Sequence, residues 1–155
     1  MRITHQIAKS LREIYFGENW TSVDLKSTLD GVDWKLATTK VNSLNTIAAL
    51  VFHMNYYVGA VSKFLQDGLL ESSDKYSFDV PSISSQADWE RLLDKTWSDA
   101  ETLAGQIEQI PEERLGEIFN NGQYGNYYRN LQGVVEHCYY HLGQIVFIKK
   151  IKTGT

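Results

Sequence analysis

Apolar side chains recur every three or four residues in four long stretches of the chain. That spacing places them on one face of an α-helix. The first stretch contains Ile3, Ile7, Leu11 and Ile14 and ends before Gly17, a residue type that commonly terminates helices. No stretch alternates apolar and polar residues as a half-buried β-strand does. The pattern therefore predicts an all-α protein.

The second stretch predicts a helix that begins at Asn42 or Ser43, runs to about Gln66 and stops at Gly68. Its apolar face is wide enough to contact two neighbouring helices and includes His53. The face is made of two adjacent stripes: Leu44, Ile47, Val51, Met54, Val58, Val61 and Leu65, and then Leu50, His53, Tyr57, Ala60 and Phe64.

Residues 68–85 are rich in serine and contain Pro81, so they predict a long loop. A third long helix follows, capped by Ser85 or Asp88 and ended by Pro111. A short turn would make the second and third helices antiparallel neighbours, whereas a loop of this length lets the chain cross to another side. Together with a last helix over residues 131–151, the pattern predicts one four-helix-bundle domain spanning residues 1–155.

The connection between the first two long helices carries short helical signals. Ser22 is placed to cap one short helix that stops at Gly31, and Asp33 is placed to cap another. Trp20 and Trp34 are large apolar side chains with one donor each. We expect both to fold this connection against the bundle.

Charge and composition narrow the possible function classes. The chain has 15 basic and 19 acidic residues, a formal charge of −4 and no basic stripe, which argues against nucleic-acid binding. No apolar run approaches the roughly 20 residues that a membrane span needs, and the first residues lack the apolar core of a signal peptide. The single cysteine, Cys138, suits a reducing compartment. These features predict a cytoplasmic protein.

The last helix carries two histidines one turn apart. Its buried seam is formed by Val134, Cys138, His141, Ile145 and Ile148. His141 lies on that seam and His137 lies one turn before it, so both rings can reach a single metal ion. His53 faces inward on the second long helix and is the third candidate ligand, whereas His5 lies off its apolar stripe and is expected at the surface. The alternative for each buried ring is a neutral imidazole paired with a side chain or a carbonyl.

Three neutral nitrogen ligands leave open positions on Zn²⁺ or Ni²⁺, as catalytic sites do. Such an ion can activate a bound water or thiol, or it can simply hold the helices together. The spacing HCYYH differs from the HExxH of zinc proteases because Cys138 occupies the place of the catalytic glutamate, and Glu136 points elsewhere by helical period. We therefore reject a protease and interpret Cys138 as a small core residue rather than a ligand or nucleophile.

The segments NTIAALVFHMNYYVGAV and GVVEHCYYHLGQI, with WERLLDKTW and IPEERL between them, resemble the DinB/YfiT-like family over nearly the whole chain. The resemblance implies an up-down-down-up four-helix bundle, usually homodimeric, with a metal ion held by three histidines. Carried over by position, those ligands are His53, His137 and His141. Characterised relatives include thiol-dependent S-transferases, so a low-molecular-weight thiol is an implied cofactor or substrate.

Four further residues are candidates for supporting roles. Gln144 and Tyr57 are placed to orient a ligand ring or to contact a substrate, although ordinary packing is the alternative. Gly133 and Gly143 lower the stability of the last helix, which we interpret as a sign of close helix approach, including a dimer interface. The functional hypotheses are a metal-dependent enzyme, a non-catalytic metal-stapled or ligand-binding dimeric bundle, and an interaction module without metal.

Overall fold

The structure is a computed structural model that describes residues 2–154. Within that range six α-helices pack together and no β-strand is present, which confirms the all-α prediction. The helices are α1 (Ile3–Phe16), α2 (Leu25–Leu29), α3 (Trp34–Thr38), α4 (Ile47–Asp67), α5 (Gln86–Gln109) and α6 (Tyr127–Thr153). Two short 3-10 helices, Asp74–Tyr76 and Glu112–Gly116, lie in the connections before and after α5.

Side-chain caps and glycines set most helix ends. The hydroxyl of Ser85 accepts a hydrogen bond from the backbone N–H of Asp88 at the start of α5, and the side chain of Asn126 does the same for Arg129 at the start of α6. Gly68 ends α4 in the left-handed conformation with φ 77°, as predicted. These local interactions explain where the long helices begin and end.

Two predicted helix starts are wrong, and α6 begins at Tyr127, four residues before the predicted Leu131. Helix α4 begins after Thr46, whose hydroxyl accepts from the N–H of Ala49, rather than at Asn42 or Ser43. Asn42 has a left-handed backbone with φ 50°, and Leu44 is exposed before the helix begins. Helix α2 is capped by Asp24, because Ser22 also has a left-handed backbone, with φ 54°. At the starts of both α2 and α4, several neighbouring residues are of types that commonly cap helices, so the sequence does not single out one start.

The long helices share one core. Helix α1 packs against α5 and α6, and α4 packs against the same two helices. Helix α2 lies against α1 and α6, while α3 lies against α4 and α5. Fully buried side chains from all four long helices fill the centre, among them Leu11, Ile14, Met54, Leu103 and Ile145. Burial of this apolar surface is the main driving force for the arrangement.

The two tryptophans of the first connection behave differently. Trp34 is half-buried against the core, but Trp20 is fully exposed, so the expectation that both pack inward is wrong for Trp20. The connection is anchored by other groups. The side-chain amide of Asn19 donates to backbone oxygens on both sides of the turn, and the indole N–H of Trp89 donates to the carbonyl of Val32 at 2.8 Å. Within residues 2–154, no helix has both the length and the apolar character needed to cross a membrane.

Candidate metal centre

Three imidazole rings from two helices meet near the surface of the core. His53 projects from α4, and His137 and His141 project from adjacent turns of α6. The Nε2 atom of His137 lies 3.1 Å from Nε2 of His53 and 3.0 Å from Nε2 of His141. His53 and His141 are buried and His137 is half-buried. The structure thus brings together the three histidines singled out in the sequence, in an arrangement that could hold a metal ion.

Hydrogen bonds on the far side of two rings determine which nitrogen carries the proton. His53 Nδ1 lies 3.2 Å from the backbone oxygen of Ser77, and His141 Nδ1 lies 2.7 Å from Oε1 of Gln144. The amide of Gln144 is itself oriented, because its nitrogen donates to the hydroxyl of Tyr140. Carbonyl oxygens only accept, so both rings donate through Nδ1–H and present an Nε2 lone pair to the cluster.

The donor set fits a divalent cation. His137 carries at most one proton on Nε2, so it can donate a strong hydrogen bond to only one of the two lone pairs facing it. A shared cation satisfies all three nitrogens at once. A tetrahedral zinc ion with bonds of about 2.0–2.1 Å separates its nitrogen ligands by about 3.3 Å, close to the observed spacing. The ligand atoms of all three rings lie within 4.8 Å of one another.

The environment keeps the rings in the neutral form that binds metals. Burial, followed by repulsion from His141 and His53, lowers the pKa of His137 to about 4. Burial also lowers the pKa of His53 and of His141, against the opposing hydrogen bonds to Ser77 and Gln144. Metal binding at neutral pH therefore does not have to displace protons from these rings.

The loop between α4 and α5 encloses one side of the cluster. The ring of Phe78 stacks on His53, with centroids 3.9 Å apart and an angle of 10° between the planes. Ser77, one residue earlier, accepts the His53 hydrogen bond. Sequence reasoning missed Ser77, Phe78 and the neighbouring Asp74, because loop residues have no periodicity that reveals where they pack. The unusual length of the loop was the only signal available.

Tyr57 forms another wall of the site. Its ring lies nearly perpendicular to the rings of His53 and His137, with centroid distances of 5.2 and 5.0 Å. Its hydroxyl donates to the carboxylate of Asp74. Burial, and then that hydrogen bond, raise the pKa of Tyr57 to about 12, so the hydroxyl keeps its proton at neutral pH. Gln144 and Tyr57 both contact the cluster directly, Gln144 by a hydrogen bond and Tyr57 by its ring.

An open groove leads to the cluster. It has a volume of about 760 Å³ and lies between α4 and α6, with His53 and His137 in its wall. The loop segment around Asp74 and the turn around Phe119 and Tyr124 form its sides. The histidine cluster is therefore reachable by a small molecule rather than sealed behind an apolar wall.

The other singled-out residues take varied positions. Cys138 is fully buried beside the hydroxyl of Tyr15, and burial raises the pKa of its thiol to about 12, which confirms a core residue. Glu136 is exposed and pairs with Arg129. His5 is half-buried, with its Nδ1 enclosed, so the expectation of a solvated ring is wrong.

The two glycines of α6 do not mark close helix contacts within the chain. A Cβ atom at Gly143 would meet nothing within 4 Å, and one at Gly133 would meet only the guanidinium of Arg129, at 3.4 Å. The interpretation as a close approach of helices inside the bundle is therefore wrong. Gly133 instead lies in the wall of the groove, where a missing side chain leaves room for Arg129.

Comparison with known proteins returned no matching family model, no similar curated protein and no similar solved structure.

Proposed function

We propose that the protein is a metal-dependent enzyme of the DinB/YfiT-like type, in which His53, His137 and His141 bind a divalent ion and a thiol or water is activated against a small electrophilic substrate. The observation that carries the proposal is the convergence of three Nε2 atoms in the wall of an open groove. A thiol S-transferase is the specific reaction that the family resemblance favours.

Helix directions support the up-down-down-up bundle expected of that family. Helices α4 and α6 are antiparallel, since His53 meets His137 at one level and Phe64 meets Tyr127 at another. Helices α4 and α5 are parallel, since Asn55 bonds to Asp99, and Leu65 shares a surface depression with Gln106 further along both helices. A parallel pair requires the long crossover formed by residues 68–85. Helix α1 runs antiparallel to α5, from Ile3 beside Glu112 to Tyr15 beside Trp97.

The ligand set favours zinc or nickel. Three imidazoles with no carboxylate are typical of borderline metals, whereas Mg²⁺ and Ca²⁺ prefer oxygen ligands. A divalent ion bound there would supply the Lewis acidity that makes a thiol or water nucleophilic at neutral pH. Three protein ligands leave coordination positions for such a group.

The protein's own residues would orient the reactants. Ser77 and Gln144 hold the rings of His53 and His141 in the metal-binding tautomer. Phe78 covers one face of His53 and limits access from the loop side. The hydroxyl of Tyr57 donates its hydrogen to Asp74, which leaves its oxygen as a hydrogen-bond acceptor at the groove wall, next to where a substrate would reach the cluster.

The test combines metal analysis with turnover. Purified protein is loaded with Zn²⁺ or Ni²⁺, dialysed and analysed for metal, and then assayed with low-molecular-weight thiols and chlorodinitrobenzene, and for ester hydrolysis. We expect one ion per chain, and expect the single variants His53→Ala, His137→Ala and His141→Ala to lose both metal and turnover while the control His5→Ala keeps both. Loss of metal with unchanged turnover would exclude the catalytic proposal.

A non-catalytic, metal-stapled dimer is the second candidate, favoured by the outer face of α6. Tyr140, Phe147 and Ile151 are exposed there, with the side-chain-free Gly143 between the first two. Exposed apolar side chains grouped on one helix face are typical of protein–protein contacts. This candidate predicts a homodimer by light scattering, a monomer for Phe147→Glu, and a fall in melting temperature on chelation with no turnover.

A further inference from the structure

The groove continues well beyond the histidines. His137 lies at one end, and Arg129 lies two turns towards the start of α6. Eight residues of α-helix correspond to about 12 Å along the axis. The apolar part of the lining includes Val61 on α4, Val134 on α6 and Phe119. The shape suits an elongated small molecule with an apolar middle.

The charges that line the groove are unevenly placed. Among the described residues of its wall, the charged side chains are Asp74 and Arg129. Asp74 lies at the histidine end, where it accepts the hydroxyl hydrogen of Tyr57. The backbone of Arg129 lies two turns from His137, but its guanidinium reaches back beside Gly133 and Glu136, about one turn before His137. A ligand with one negative group would therefore be repelled by Asp74 and attracted by the Arg129 guanidinium beside Gly133.

Arg129 has donors to spare for such a group. Its Nη1 donates to Glu136 at 3.0 Å, and both side chains of this pair are more than half exposed. A guanidinium has five N–H donors, and an exposed ion pair of this kind is weak. The guanidinium lies beside Gly133, where the absence of a Cβ leaves it room at the groove wall.

We propose that the groove binds a small amphipathic carboxylate, with its carboxylate on Arg129 and its alkyl chain along Val61 and Val134. The far end of the ligand then reaches His53 and His137. The identity of that end as a metal-binding group, such as a thiol, rests on the proposed function, whereas the carboxylate subsite does not.

The carboxylate subsite is tested on metal-free protein with octanoate and the uncharged octanol, titrated by calorimetry. We expect octanoate to bind about two- to fivefold more tightly, the effect expected of one partly exposed ion pair. Arg129→Gln should remove this preference while octanol binding persists. Glu136→Gln should increase the preference, because it removes the competing carboxylate from Arg129.

A matched control uses another exposed arginine. Arg91→Gln alters a surface pair with Asp88 on α5, away from the groove, and should leave both affinities unchanged. Equal affinities in the wild-type protein, no binding of either compound, or a preference that survives Arg129→Gln would each overturn the proposal.

The reactive end is tested separately on zinc-loaded protein with mercaptooctanoate and octanethiol. We expect the mercapto acid to bind more tightly than either octanoate or the thiol alone, and Arg129→Gln to remove only the carboxylate contribution. If zinc fails to bind but octanoate still binds more tightly than octanol, the metal proposal is refuted and the carboxylate subsite stands. If zinc binds but octanoate has no advantage over octanol, the carboxylate subsite is refuted and the metal proposal stands.

Discussion

The Nε2 atoms of His53 and His137 lie 3.1 Å apart, although 84 positions separate the two residues in the chain. His53 is oriented by Ser77, and its neighbour His141 is oriented by Gln144, but the Nδ1 of His137 is buried without a hydrogen-bond partner among the described residues. Without a metal ion, the proton of His137 therefore belongs on Nε2, which faces the Nε2 lone pairs of the other two rings. In the metal-free protein Nε2 of His137 can donate a hydrogen bond to a neighbouring ring, and after its proton moves to Nδ1 the same nitrogen can coordinate a metal ion.

Metal removal should destabilise the fold. A ligand that binds only the folded state adds about 2.7 kcal/mol to the free energy of unfolding when its free concentration is about 100-fold above Kd. We expect zinc to raise the melting temperature of the chelated protein, measured by calorimetry, because an ion held by His53 on α4 and by His137 and His141 on α6 would join the two helices. The variant His137→Gln should show no zinc-dependent shift. An equal shift in that variant would place the stabilising zinc elsewhere.

Acid should destabilise the metal-free protein. The pKa of His137 is lowered from the usual 6.5 to about 4, so the unfolded chain binds more protons between these values. The contribution of the neutral ring is complete above pH 6.5, is lost as the pH falls below it, and levels off near pH 4. Urea unfolding at a series of pH values measures this slope. His137→Gln should make the slope shallower, and an unchanged slope would contradict the assignment.

Gln144 should control metal affinity without being a ligand. Its carbonyl oxygen accepts the Nδ1 hydrogen of His141. Mutation of a residue that hydrogen-bonds to a metal ligand typically lowers metal affinity by about 10- to 100-fold. We expect Gln144→Ala to weaken zinc binding by that factor in competition with a chelating dye. Gln144→Glu should restore or increase affinity, because a carboxylate is a stronger acceptor. Gln132→Ala, on the same helix, is the control that should have no effect.

Replacing either glycine of α6 with alanine should raise the free energy of unfolding, but only the replacement of Gly133 should weaken octanoate binding. Gly143→Ala should raise the free energy of unfolding by about 0.5–1 kcal/mol, because alanine is the better helix former and a Cβ there meets nothing. Gly133→Ala should gain similar stability but weaken octanoate binding, because its Cβ enters the groove beside Arg129. Destabilisation by Gly143→Ala would instead indicate that this face is packed against another molecule.

Trp89 should matter more for stability than Trp20. Trp89→Phe removes the indole donor and leaves the buried carbonyl of Val32 without its partner, which costs about 1–3 kcal/mol. Trp20→Phe, at a fully exposed position, should change the free energy of unfolding by less than about 0.5 kcal/mol. Chemical denaturation of both variants measures the difference. Equal effects would show that Trp20 is buried in solution.

Helical periodicity was sufficient to select the histidines. His53 and His141 occur among apolar residues at helical spacing, and the buried face of a helix is determined by a repeat that is visible in the sequence. The start of α4 was not recoverable, because Asn42, Ser43 and Thr46 are all good caps and only the packed fold selects one of them. The expectation for Trp20 was wrong because burial also depends on the packed fold. A tryptophan side chain favours burial, but Trp20 is fully exposed.

The all-α class, the helix ends at Gly17 and Gly68 and the inward positions of the histidine rings were all predictable, because each depends on residues within a few turns of one helix. Three features become visible once the chain is folded: Ser77 and Phe78 cover His53, Gly133 makes room for Arg129, and a groove opens beside the cluster. Those features depend on where a loop and two helices meet, and contacts between distant segments follow from the packing of the whole core rather than from any local repeat.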